Sequence, residues 1–444
     1  MRVRESGGTG AGWRSAVTGR RRWLAVSAGA AVTGTAALVI GACTGGLAGG
    51  AHARRVPISA AQVTITPADS SQDANPSQGV NVSVAQGTLE RVTVTKGADP
   101  VTGVFSPGRT GWHSTWPLLP SRHYTVTATA VDAHHLAVTK TYTFRTLRPR
   151  RSFLTHITEG YHQVYGVGMP IMLTFSHPVS HRYRAAVERS IQLWTSKPIV
   201  GAWYWDDALA PAGTNLVFRP RGYWPQHTRV TVKAHFAGLQ IARGVFGREN
   251  LSQQFTIGRS LIAVVNTASH YATIYYRNHV YGVWPMSSGA PGDDTADGTY
   301  LTIEKGNPVL MSGPGYTDFP VPYSVRFTWS GNYMHDAYWS VGEQGYANVS
   351  HGCVNLSPEH AAIYYNLAVP GDPVTITHSP AAGTWDDGWT EWFLTWKQLL
   401  RGSATHMAVE AGPSGSGFVS PHALPPSLAR APLGNSRPHN AHAY

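Results

Sequence analysis

Only two cysteines, Cys43 and Cys353, occur in 444 residues. So few exclude a disulfide framework, and neither belongs to a C-x-x-C pair. The chain also lacks a basic stripe interleaved with aromatics. Its formal charge is +11, but six Arg against one Glu in residues 1–42 supply +5 of that. Nucleic-acid binding is thereby disfavoured, and the modest positive charge left suits an anionic polymer or a membrane surface. Helical periodicity is scarce too, which leaves a mainly β fold class. What is plentiful is core material: 42% hydrophobic residues, with 15 Trp and 20 Tyr. A chain of this length exceeds one core, so two to four domains are expected.

Residues 1–54 read as an export segment. Arg20-Arg21-Arg22 form a positive start, Trp23 to Ala42 an apolar run, and Ile40-Gly41-Ala42-Cys43 resembles a lipobox. On that reading Cys43 is lipidated and anchors the protein to the outer face of the cytoplasmic membrane. The alternatives are a signal cut after Ala51-His52-Ala53 or an uncleaved anchor. With Cys43 so used, Cys353 has no partner in an oxidising compartment. It is then a candidate nucleophile or, more plainly, a small buried hydrophobe.

Residues 55–149 carry period-two runs such as Val80-Asn81-Val82-Ser83-Val84 and Tyr124-Thr125-Val126-Thr127-Ala128, separated by Gly, Pro, Asn and Ser. They describe an antiparallel sandwich. After the linker Arg148-Pro149-Arg150-Arg151, residues 150–258 form a second β domain with one short helix, about Tyr183 to Gln192. Neither domain shows convergent polar residues, so both are spacers or docking modules. Residues 259–378 form a third, β-rich domain. In it Ser357 caps a helix that has Pro358 at its first position and runs to about Ala368. In 379–402, Trp389, Trp392, Phe393 and Trp396 fall at i, i+3, i+4 and i+7, one apolar face of a short helix docked on the preceding domain. Residues 403–444, rich in Gly, Ser, Pro and His, are expected to be a disordered tail.

Chemistry concentrates between Tyr333 and Pro358. A nucleophilic thiol needs a base within hydrogen-bond reach and donors for an oxyanion. His335 and His351 are the available bases. Cys353 lies four residues before the Ser357 cap, where the helix dipole favours a thiolate. Gly352 leaves the backbone open beside it. His351 and Cys353, two apart, share a face if that stretch is a strand, which leaves His335 free to act as base. A zinc site of His335, His351, Cys353 and His360 is the competing reading, weakened by the absence of ligand-type spacing.

Ser350-His351-Gly352-Cys353-Val354-Asn355, with His335 fifteen residues before Ser350, resembles the L,D-transpeptidase (YkuD) signature. The likeness covers about residues 260–378, including Met286-Ser287-Ser288-Gly289 and Asp297-Gly298-Thr299-Tyr300. The two upstream domains resemble paired immunoglobulin-like modules, and the Trp-rich segment a C-terminal subdomain.

The resemblance implies that Cys353 is the nucleophile and His335 the general base, with the Gly352 and Cys353 amides forming the oxyanion hole. His351, Asn355, Ser350 and Trp339 would shape the substrate site, and Met311 and Tyr316 a lid. It implies no cofactor and no metal. The partners would be peptidoglycan tetrapeptide stems, as donor and acceptor, and the product a 3→3 cross-link. Asp336 departs from the family, where Ser or Gly usually follows the histidine. If the third triad member acts through its carbonyl the change is tolerable, whereas an inward carboxylate would raise the pKa of His335. An L,D-carboxypeptidase or a wall-protein ligase would use the same residues, and a wall-binding lipoprotein would leave Cys353 inert.

Overall fold

The computed structural model describes residues 57–207, 214–313 and 315–423. The export segment with Cys43, and residues 424–444 of the expected tail, lie outside the described residues.

The first domain is two facing four-stranded sheets. One runs in the order Gln62–Thr66, Asn81–Ala85, Gly111–Ser114, Gly103–Phe105; the other in the order Asp99–Pro100, Thr88–Lys96, His123–Val131, Ala137–Arg145. Every pairing is antiparallel. Alternation explains the layering: Val63, Ile65, Val82 and Val126 point inward and the intervening Thr and Ser outward.

The second domain repeats the sandwich with more aromatic filling. Phe175, Trp203, Phe218 and Phe236 are almost fully buried between a six-stranded and a four-stranded sheet. Its helix spans His181–Arg189, slightly earlier than expected.

Two expectations about the C-terminal part are corrected. Residues 403–423 are not a loose tail. Ala408–Gly412 pairs antiparallel with Ile199–Asp206, and Gly415–Val419 pairs with Ala408–Gly412. Val409 and Ala411 bury themselves in the second sandwich. The buried Glu188 carboxylate accepts from Ser403 Oγ at 2.8 Å, from the Ala404 amide at 2.6 Å and from Thr405 Oγ1 at 2.6 Å. Glycine and serine here make a hairpin, not disorder.

Nor is the Trp-rich stretch one amphipathic helix on the preceding domain. Thr395 forms a capping box with Gln398, so the helix starts at Trp396 and ends at Gly402. Trp389, Trp392 and Phe393 precede it and face different neighbours. Trp392 Nε1 donates to the Gly168 carbonyl at 2.7 Å, with the Arg219 guanidinium 4.3 Å above the ring. Phe393 packs edge-on to Tyr300, with centroids 5.1 Å apart. The segment therefore joins the second sandwich to the third domain. The same joint is tied by the Gly166 and Gly168 amides, which donate to the Pro370 and Gly371 carbonyls at 2.8 Å and 2.9 Å.

The third domain has two sheets around one core. The five-stranded sheet runs His279–Pro285, Tyr271–Tyr276, Leu261–Asn266, Pro373–Thr377, Gly298–Leu301. The four-stranded sheet runs Glu304–Gly306, Ser324–Arg326, Tyr333–Asp336, Val354–Leu356. Leu261, Ile274, Tyr300, Phe327, Leu356 and Tyr364 fill the space between. Among the described residues no helix is long and apolar enough to cross a membrane.

Candidate active site

The site sits at the inner edge of the four-stranded sheet. Tyr333–Asp336 and Val354–Leu356 lie side by side in parallel, with Met334 opposite Val354 and His335 opposite Asn355. All four residues of the first strand are buried. The helix Pro358–Leu367 follows directly, with Ser357 Oγ accepting from the His360 amide.

The residues before Val354 are a bend, not a strand, which corrects the expectation that His351 and Cys353 share a strand face. Gly352 has φ +108°, a conformation that side chains resist, and a Cβ there would meet Asn332 Oδ1 at 3.0 Å. The bend turns His351 to solvent and Cys353 inward, leaving the latter 9% exposed.

Hydrogen bonds brace this bend from both sides. Ser350 Oγ donates to the Cys353 carbonyl at 2.6 Å and accepts from the Gly352 amide at 3.1 Å. Thr295 Oγ1 donates to the Gly352 carbonyl at 2.8 Å. The Met286-Ser287-Ser288-Gly289 segment runs alongside, with Ser287 exchanging amide bonds with Asn355 and Ser288 accepting from the Ser350 amide. Asn355 Nδ2 donates to the buried Ser340 Oγ at 2.9 Å. Ser350 Oγ and Asn355 Nδ2 therefore bond inside the fold, at positions that were expected to shape the substrate site. The Gly352 amide is likewise already bonded, so it does not stand free as an oxyanion donor.

His335 is 4% exposed, and its Nδ1 meets the Asp336 backbone carbonyl at 2.7 Å. A carbonyl only accepts, so Nδ1 carries the hydrogen and Nε2 keeps its lone pair. Burial pushes the imidazole down to about 4, opposed by that hydrogen bond. The alternative in which the Asp336 carboxylate raises His335 is thereby set aside: the backbone carbonyl is the partner. The carboxyl of Asp336 is itself buried and held above the usual range by that burial, with the Tyr338 amide acting against it.

Burial also pushes the Cys353 thiol up to about 11, opposed by the Tyr333 amide. Desolvation of the charge therefore works against the thiolate expected from the nearby helix start. Sγ lies 3.8 Å from the Gly331 carbonyl. Burial thus favours the neutral form of both thiol and imidazole, which lie on adjacent elements.

A hairpin of Val309–Gly313 and Tyr316–Val321 roofs the thiol. Met311, Val321 and Tyr333 form one buried cluster with Cys353, and Tyr316 and Phe319 pack against it. Trp339, 46% exposed, stacks near His335 with centroids 5.9 Å apart and meets Phe319 edge-on at 5.2 Å. Tyr316 lies 5.8 Å from the His351 ring. Of the residues read from sequence, Cys353, Met311, Tyr316 and His351 meet at the roof, and His335 meets Trp339 beside it. Phe319, Val321, Tyr333 and Thr295 were missed. Phe319 and Val321 do alternate along a short run after Tyr316, which was the available signal. His360 stacks on Trp284 at 4.6 Å, and among the described residues no group of three metal-binding side chains forms.

This geometry sets the chain among proteins that append a β-rich catalytic domain to immunoglobulin-like modules. Residues 71–240 match a bacterial Ig domain, and residues 260–376 an L,D-transpeptidase catalytic domain. L,D-transpeptidase 2 of Mycobacterium tuberculosis is 32% identical over 73% of this chain and 80% of its own. L,D-transpeptidase 5 of the same organism is 33% identical over 82% of each, and L,D-transpeptidase 1 is 38% identical over 48% of this chain and 80% of its own. The chain belongs to the L,D-transpeptidase family, whose members are acyltransferase enzymes.

Proposed function

We propose that this enzyme forms 3→3 cross-links in peptidoglycan through a thioester on Cys353. The observation that carries the reading is a histidine whose Nδ1 is tied to a backbone carbonyl, on the strand that pairs with the one directly after a roofed thiol, the one free thiol among the described residues. That tie leaves Nε2 as a base of fixed orientation.

In the proposed reaction the donor stem displaces the hairpin from above Cys353. The thiol proton passes to His335 Nε2 as Sγ attacks the carbonyl that follows the L-centre of meso-diaminopimelate. Because burial favours the neutral form of both groups, proton transfer accompanies attack and no ion pair is formed beforehand. Collapse of the tetrahedral intermediate breaks the bond to D-Ala, which leaves with the proton from His335. The side-chain amine of a second stem then attacks the thioester, and Cys353 recovers its proton. Hydrolysis in place of aminolysis would give the L,D-carboxypeptidase.

The export segment fits this reading, with Cys43 as lipid anchor at the membrane and the two sandwiches carrying the catalytic domain into the wall. Incubation with disaccharide-tetrapeptide tests the reaction: the account expects free D-Ala and a dimer linked between two diaminopimelate residues. Release of D-Ala with monomeric tripeptide alone would make the enzyme a carboxypeptidase.

A further inference from the structure

The second sandwich presents a sheet face that the catalytic reading does not use. Ile191–Thr195 pairs with Thr228–Ala234, which pairs in turn with Leu251–Ile257. Residues opposite one another in such a ladder share a face. The rows Gln192–Lys233–Ser252 and Trp194–Thr231–Gln254, followed by Arg229–Thr256, therefore lie on one side. Leu193, Val230, Val232 and Phe255 alternate to the other side and are buried in the core. The outward grid measures about 13 Å along the strands and about 10 Å across them, by the ordinary rise and spacing.

Its chemistry is selective. It holds hydroxyls, two amides, one indole and two cations, with no carboxylate, and the half-exposed Val164 of the edge strand borders it beside Thr256. Arg229 and Lys233 are exposed and, among the described residues, take part in no ion pair. Lys233 Nζ lies 4.9 Å over the Trp194 ring. The row continues across the joint with the first sandwich: His235 Nε2 meets Gln192 Oε1 at 3.2 Å, and the His235 ring stacks on Trp116 at 3.8 Å. The acids of this domain are kept off the face. Glu159, Glu188 and Asp206 are buried, Asp207 pairs with Arg184, and the exposed Glu249 precedes the Leu251–Ile257 strand, outside the grid.

We propose that this face docks an acidic polysaccharide, a sugar chain bearing carboxylate groups. A planar indole suits the apolar face of a sugar ring, and short hydroxyls and amides suit its hydroxyl rim. Two unpaired cations suit substituents of negative charge. A bare polyanion site would need more cations and no indole, and a neutral glycan would need no cations. The inference stands apart from the catalytic reading, since every position lies outside the L,D-transpeptidase domain.

The test uses the full chain and polygalacturonate as probe, with dextran and single-stranded DNA as controls. Polygalacturonate is expected to bind, dextran not, and DNA at least about tenfold more weakly. Trp194→Ala is expected to weaken polygalacturonate binding about tenfold, and Trp194→Phe to restore most of it. Arg229→Glu with Lys233→Glu, both at exposed positions, is expected to abolish binding with an unchanged melting temperature. Undiminished binding by the double charge reversal overturns the proposal. So does DNA binding equal to that of polygalacturonate, or dextran binding equal to it.

Discussion

Replacing Ser350 by alanine removes one hydroxyl that serves two backbone groups at once. Its Oγ accepts from the Gly352 amide at 3.1 Å and donates to the Cys353 carbonyl at 2.6 Å, in a side chain that is 7% exposed. Alanine replaces neither bond, and a buried group left unsatisfied costs about 1–3 kcal/mol. With some relaxation of the bend, the expected loss is about 2–4 kcal/mol. At a urea slope of about 2 kcal/mol per molar, the unfolding midpoint of the catalytic domain falls by about 1–2 M. Catalysis suffers separately, because the bend also fixes where Sγ points. A misplacement on the ångström scale slows carbapenem acylation about tenfold to hundredfold. Ser350→Thr keeps the hydroxyl and serves as the control. A Ser350→Ala enzyme with an unmoved midpoint and wild-type acylation would refute the idea that this hydroxyl holds the nucleophile's bend.

Other perturbations probe the rest of the account. In Asp336→Ser the acidic limb of the acylation profile is expected to move by less than about half a unit, because the partner of His335 is a backbone carbonyl. A larger move would mean the carboxylate is coupled to the pair. The wild-type limb itself is expected below the usual histidine range. Burial depresses His335 to about 4, so the base form needed for catalysis persists as pH falls and is lost only on approach to that value. A limb at the ordinary histidine value would contradict that depression. Met311→Ala thins the roof and is expected to lower the thiol pKa from about 11 and speed alkylation by iodoacetamide; an unchanged alkylation rate would count against the roof. Truncation after Gly402 strips two strands from the second sandwich and leaves buried Glu188 without Ser403, Ala404 and Thr405. Its melting temperature is expected to drop by several degrees, and an unaltered value would mean the hairpin contributes nothing.

How much was legible in the sequence varied with the physics involved. The period-two runs identified the sandwiches because alternation is what a half-buried strand requires, as Val63 and Ile65 illustrate. The Ser357-Pro358 helix start was readable because capping is local chemistry. The Trp-rich stretch misled because helical spacing alone does not say where a helix begins; Thr395 decides that, and Trp392 is claimed by Gly168 and Arg219 instead. The Ala408–Gly412 strand was hidden by a Gly- and Ser-rich surround, and its pairing with a strand some two hundred residues earlier is not a local property. At the site, motif spacing singled out Cys353 and His335. That Ser350 and Asn355 brace the fold, and that Phe319 and Val321 roof the thiol, depends on side-chain directions that only the folded bend sets.

The central claim, that Cys353 is the nucleophile served by His335, meets its most direct test in intact mass after exposure to a carbapenem. The account predicts one covalent adduct per chain on wild type and none on Cys353→Ala. In a folded His335→Ala protein the adduct forms about two to four orders of magnitude more slowly, as loss of a general base requires. An adduct that persists in Cys353→Ala, or that forms at the wild-type rate in His335→Ala, would contradict it.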